Sequence, residues 1–167
     1  MKPMRPLLAA CLYLAAHASF ADNIPEYDYT KPLKDGVNVV GMECHKKNGT
    51  LELGYFDSTS PPTKRMDLWR SYDLVKYDAH SMVKKILEVE RHCQLADDRY
   101  VIRFRGAPGN SNAMGHCGAT VYAGAKVWKN GVMVFDQDFE SCDAKETIRS
   151  VRFSHGSDLP QIHKVAN

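Results

Sequence analysis

A chain of 167 residues with 44% hydrophobic and 25% charged side chains has an ordinary globular composition, which excludes a disordered, collagen-like or coiled-coil chain. Its 22 Lys and Arg against 20 Asp and Glu give a net charge of +2, too little for bulk electrostatic capture of nucleic acid. With residues 1–21 set aside as argued next, the remainder suits one compact domain able to bury its own core without a metal staple.

The N-terminus reads as a secretory signal over residues 1–21. Lys2 and Arg5 precede an apolar run from Leu7 to Ala18, and Ser19 and Ala21 place small residues at the −3 and −1 positions of a cleavage site. The run is shorter than the roughly 20 residues of a permanent membrane helix and no later segment approaches it, so no transmembrane segment is expected. Leu8-Ala9-Ala10-Cys11 has the form of a lipobox whose cysteine is acylated, but only about four apolar residues precede Cys11, against about 7–15 in a usual signal core. Cleavage after Ala21 removes two basic side chains and no acid, so the mature chain is neutral and is expected in the periplasm or outside the cell.

The same cleavage leaves Cys44, Cys93, Cys117 and Cys142. An even count in an oxidising compartment predicts two disulfides. Histidines flank three of them, in Cys44-His45, His92-Cys93 and His116-Cys117. Neighbours on a strand point to opposite faces, however, and neither Cys-x-x-Cys nor His-x-x-x-His is present, so no metal site and no cofactor are predicted.

Residues 22–36, with Pro25 and Pro32, read as an extended arm, and residues 37–156 as a single β-rich domain. Val37–Cys44 and Leu51–Phe56 are predicted strands around Lys46-Lys47-Asn48-Gly49, whose Asn-Gly pair suits a hairpin turn. Asp57–Lys64, with Pro61-Pro62, is a loop. Met66–Met82 mixes helical spacing at Leu68, Tyr72 and Val75 with strand-favouring side chains such as Trp69 and Tyr77. From Leu87, Val89, Cys93 and Leu95 alternate with Glu88, Glu90, His92 and Gln94, although Arg91 interrupts the apolar face and a helical start through Met82, Val83, Ile86 and Leu87 is the alternative. After a turn at Ala96-Asp97-Asp98, Tyr100, Ile102 and Phe104 share one strand face and Arg103 and Arg105 the other.

Asn130-Gly131 predicts a type I′ hairpin in which Lys129 faces Val132, Trp128 faces Met133, Lys126 faces Phe135 and Tyr122 faces Phe139. One face then gathers Tyr122, Trp128, Met133, Phe135 and Phe139 for the core. Cys117 and Cys142 fall two places off register at the open end, so a Cys117–Cys142 bridge needs one bulge nearby, and Cys44–Cys93 follows by elimination. Thr147–Phe153 is a last strand before a polar tail, 157–167. The fold class is thus all-β, with at most one short helix, as an antiparallel β-sandwich or sheet with two disulfides.

The most distinctive stretch is Gly106 to Gly118, with four glycines and one proline between a strand and a hairpin. Function concentrates in loops held by a rigid frame, and Asn110, Ser111, Asn112, Met114 and His116 are the candidate partner-binding residues: three polar donors and acceptors, an adaptable thioether and an imidazole. No Gly-x-Ser-x-Gly elbow, His-Glu-x-x-His helix or catalytic cysteine signature is present, and Ser111 with His116 lacks an orienting acid. No catalytic residue is predicted. Asp97-Asp98 reads as a turn, Asp136 with Asp138 as a solvated strand face, and Arg103, Arg105, Arg149 and Arg152 as a basic patch or a solvated sheet surface.

In signal, size, disulfide count and β character, though in no motif, the chain resembles small exported bacterial proteins that block an enzyme, such as periplasmic immunity proteins and lysozyme inhibitors. That resemblance implies a monomeric binding protein whose partner is an exported toxin or hydrolase. A structural or adhesive envelope component and a small secreted hydrolase are the alternatives.

Overall fold

The computed structural model describes residues 31–80, 83–108, 121–141 and 144–167. Over those residues the chain forms β1 (Val39–His45), β2 (Thr50–Phe56), β3 (Asp67–Arg70), a 3₁₀ turn (Ser71–Leu74), β4 (Val75–Tyr77), β5 (Val83–Ile86), β6 (Glu88–Leu95), β7 (Asp98–Pro108), β8 (Val121–Lys129), β9 (Val132–Asp138), β10 (Glu146–Ser154) and β11 (Gln161–Ala166). One five-stranded sheet runs in the order β11-β10-β2-β1-β3 and a four-stranded sheet in the order β6-β7-β8-β9, while β4 and β5 make a separate two-stranded ribbon. The strand pairs are antiparallel throughout.

Period-two alternation explains why the two sheets meet. Leu51, Leu53 and Tyr55 on β2, Tyr100, Ile102 and Phe104 on β7, and Ala123, Ala125 and Val127 on β8 are all fully buried in one cluster. Rings interlock across the interface: Trp69 lies 5.2 Å from Phe104, Tyr55 stacks 5.8 Å from Phe139, and Tyr100 lies 5.8 Å from Phe153. Cys44 on β1 is bonded to Cys93 on β6, so a covalent bridge joins the two sheets. The all-β antiparallel class and this pairing agree with expectation; Cys117 and Cys142 both lie outside the described residues.

Several local expectations are corrected. Where the helical start was the alternative, Val83–Ile86 is a strand paired with β4. Arg91 does occupy the inner face of β6, and its guanidinium carbon lies 4.8 Å from the centroid of the Trp69 ring, so the charge that broke the apolar pattern is spent on an aromatic face. The C-terminal tail contains β11, paired with β10 from Glu146 to Arg152 across a register shift between Ile148 and Ser150.

The Asn130-Gly131 turn has the two positive φ angles of a type I′ turn, 52° and 85°, and the pairs Lys129–Val132 and Trp128–Met133 are as expected. Beyond them the register shifts: Val127 pairs with Phe135 and Lys126 with Asp136, leaving Val134 as the extra residue of a bulge. The shift reverses the parity of everything downstream. Phe135 and Phe139 enter the core opposite the small Ala123 side of β8, whereas Met133 is 48% exposed and Tyr122 and Trp128 are only half-buried on the other face. The predicted single aromatic face is therefore split.

The bridge encloses a sequence separation of 49, for which constraint of the unfolded chain contributes about 4 kcal/mol. A Cys44→Ser, Cys93→Ser double variant is expected to lose about that much in urea unfolding. An unchanged midpoint would show that the bridge is not holding the sheets.

Candidate functional site

The five residues proposed from the sequence, Asn110, Ser111, Asn112, Met114 and His116, lie outside the described residues. Both strands that lead to their loop are described. Pro108 at the end of β7 pairs with Val121 at the start of β8, so the loop leaves from neighbouring strand ends. The carbonyl of Val121 accepts a 2.8 Å hydrogen bond from Ser71 Oγ and a longer one of 3.5 Å from Asn38 Nδ2. Ser71 and Asn38 are two of the few buried polar side chains among the described residues. Buried polar groups are normally spent on a partner, and these two are spent on one stem of the loop.

The other stem borders an open cleft of about 220 Å³ lined by Ile86, Arg105, Gly106, Ala107, Pro108 and Asp138. The ribbon forms one wall because β7 carries a glycine where it passes. A Cβ on Gly106 would fall 2.2 Å from Val75 Cγ2 and 2.7 Å from the Leu74 carbonyl, so only a bare backbone admits β4 this closely. The ribbon is closed at this same end by Leu87 N–H, which donates to the Leu74 carbonyl at 2.8 Å. On the cleft floor, Arg105 Nη2 lies 3.0 Å from Asp138 and 3.1 Å from Asp136, and Lys126 lies 3.6 Å from Asp136. Gly124 makes room for this pair: a Cβ there would meet Asp138 Oδ1 at 2.2 Å. Exposed Ile86 lines the cleft, and farther along the same face of the ribbon are exposed Val83 and half-buried Tyr77, the latter in ring contact with exposed Tyr72 at 5.8 Å.

The four arginines considered as a basic patch are not brought together. Arg103 pairs with Glu90 at 2.6 Å and lies over Trp128, and Arg105 belongs to the cleft. Arg149 and Arg152 sit on the other sheet and bind Asp57 and Glu52. The acidic pair Asp136 and Asp138 is held by the two cations named above rather than presented to a substrate.

Two buried polar clusters escaped sequence reading because their members are far apart in the chain. Tyr55 Oη donates to Glu140 at 2.5 Å beside the Arg149–Asp57 pair, and burial together with that carboxylate pushes the phenol far above its usual range. Asp98, read as a turn residue, gathers four connections at the opposite end. It accepts from Asn130 Nδ2 at 2.9 Å, from Gly156 N–H at 3.3 Å and from His155 Nδ1 at 3.1 Å, with Lys129 Nζ 3.3 Å away. Burial works to raise the Asp98 pKa, but the bonds from Gly156, Asn130, Lys129 and His155 outweigh it and hold the carboxyl below the usual range. These clusters hold turns and strand ends together. Among the described residues no group of three or more His, Cys, Asp or Glu is arranged to hold a metal ion.

Two measurements follow from this geometry. Because Asp98 is depressed in the folded chain, its stabilisation is present above the ordinary carboxylate range, near pH 4, and is lost as pH falls through its lower folded value. Urea midpoints from about pH 6 to about pH 2 should therefore fall more steeply for the native chain than for Asp98→Asn; parallel curves would refute the role. Gly106→Ala should cost about 1–3 kcal/mol and speed amide exchange in β4 and β5 before β7, by forcing the ribbon outward.

No protein-family model, no curated protein and no solved structure matches this chain.

Proposed function

We propose that this chain is an exported binding protein of the inhibitor or immunity type. It engages a protein partner, a secreted toxin or an envelope hydrolase, through the loop between Pro108 and Val121. The observation that carries the reading is the anchoring of that loop's stems. Val121 is pinned by two buried polar side chains from other parts of the chain, and Pro108 rims a cleft next to exposed apolar residues. A frame fixed before binding limits the ordering cost to the loop itself, and a cleft that sets apolar side chains beside a charged pair offers a place for an interface anchor.

The Cys44–Cys93 bond supports a periplasmic or secreted setting, since such bonds persist in oxidising compartments. No helix among the described residues is long and apolar enough to cross a membrane. Blocking an enzyme asks for shape and a rigid scaffold rather than acid–base chemistry, and the sandwich supplies both.

The test is capture of a partner from envelope extract by the mature, oxidised protein. Replacing Asn110, Ser111, Asn112 and His116 together with alanine is expected to weaken capture at least about tenfold while leaving the unfolding midpoint within about 0.5 kcal/mol of native. Unaltered capture by the quadruple variant would remove the loop from the interface. A captured enzyme whose activity is unaffected by stoichiometric protein would end the inhibitor reading.

A further inference from the structure

The ribbon sets like charges opposite one another with no counter-ion between them among the described residues. On the larger sheets like charges also oppose one another, Arg103 facing Lys126 and Glu43 facing Glu52, but each pair has counter-ions: Glu90 binds Arg103, Asp136 lies by Lys126, and Lys64 bridges the two glutamates. In the ribbon Lys76 lies directly opposite Lys85, and the register shift beside them places Lys84 as the extra residue. All three ammonium groups are on exposed residues, and none enters an ion pair among the described residues. Like charges directly opposed on a strand pair are destabilising. Nothing within the described fold offsets this, and a local conflict of that kind marks a surface shaped for something else.

The opposite face of the ribbon is apolar. Val75 pairs with Ile86 and Tyr77 with Val83, so these four share one side, with Tyr72 against Tyr77. Val75 is buried against β7 at Gly106, but Val83 and Ile86 remain 42% and 45% exposed, and Ile86 forms a wall of the cleft. The acids nearest the ribbon do not neutralise the lysines. Asp73 is held by Arg70 at 2.8 Å, and Asp136 and Asp138 are held by Arg105 and Lys126. Asp78 and Glu88 stand just beyond the two ends of the ribbon, leaving its middle basic.

We propose that the cleft and ribbon form a docking site for an acidic segment of the partner protein, one bulky apolar side chain entering the cleft against Ile86, Ala107 and Pro108 while flanking carboxylates, passing round the edge of β5, meet Lys76, Lys84 and Lys85 on the other face. The volume of about 220 Å³ is enough for one large side chain. The lysines contribute chiefly to encounter and orientation, the apolar anchor to residence time. This inference rests on the binding-protein reading and adds the chemistry of the partner, on a surface adjoining the loop.

The probe is an acetylated, amidated pentapeptide with tryptophan between two pairs of acidic residues, titrated into isotopically labelled, disulfide-intact protein and followed by amide NMR shifts. Expected are perturbations confined to Val75–Tyr77, Val83–Ile86 and Arg105–Ala107, with affinity falling several-fold between about 50 mM and about 300 mM salt. The triple variant Lys76→Gln, Lys84→Gln, Lys85→Gln should weaken binding at least about fivefold at low salt, and Ile86→Ser should abolish the perturbations, both with near-UV circular dichroism unchanged. Absence of shifts at millimolar peptide, or equal binding of a peptide whose acids are replaced by amides, overturns the proposal. If the lysine variant still captures the envelope partner at full strength while the loop variant does not, the acidic-segment site is wrong and the binding function stands. Loss of capture in neither variant would remove both.

Discussion

Two sheets that twist independently can slide over one another, and the bond between Cys44 and Cys93 removes that freedom at one corner of the sandwich. With β1 tied to β6, the inner faces of both sheets are committed to each other, and the rings of Trp69, Phe104, Tyr55 and Phe139 settle into one arrangement. Arg91 illustrates how tightly this corner is determined. A charge on the inner face, two residues from Cys93, would ordinarily be expelled; here the fixed approach of the sheets brings the Trp69 ring beneath it and satisfies it.

The same constraint positions the surface features. Among the described strands β7 is the longest and contributes to three regions at once: its middle fills the core, its outer arginines are matched by acids on β6 and β9, and its end forms a wall of the cleft. Gly106 marks the passage from one role to the next, because the ribbon crosses where a side chain would stand. At the opposite end, Asp98 draws the turns at Asn130 and Gly156 onto the start of the same strand. The sandwich is thus pinned covalently between the sheets, by a buried carboxylate at one end, and by Ser71 and Asn38 at the other, where the loop departs.

Function on such a frame is a matter of which surfaces are left unsatisfied. Where like charges oppose one another on the larger sheets, a counter-ion stands beside them, and the opposed lysines of the ribbon have none among the described residues. That unbalanced pair lies beside a cleft bordered by apolar side chains.

Strand identity was legible from residue order wherever alternation ran for several residues, as in Tyr100, Ile102 and Phe104 or in the Asn130-Gly131 turn, because side-chain direction in a strand depends only on neighbours along the chain. The pairing of Cys44 with Cys93 could be reached from cysteine parity once a Cys117–Cys142 bridge was supposed. The bulge at Val134 could not, since its energetic reason is the room beside Ala123 and Ala125 on a different strand. Nor could the ribbon: strands of three and four residues carry too little periodicity to outweigh helical spacing, and they exist because Gly106 and Leu74 receive them. Residue order therefore settled which segments extend and which side of each is apolar, while the meeting of distant segments alone decided the register shifts, the buried polar anchors and the cleft, because each depends on the volume and charge of residues far along the chain.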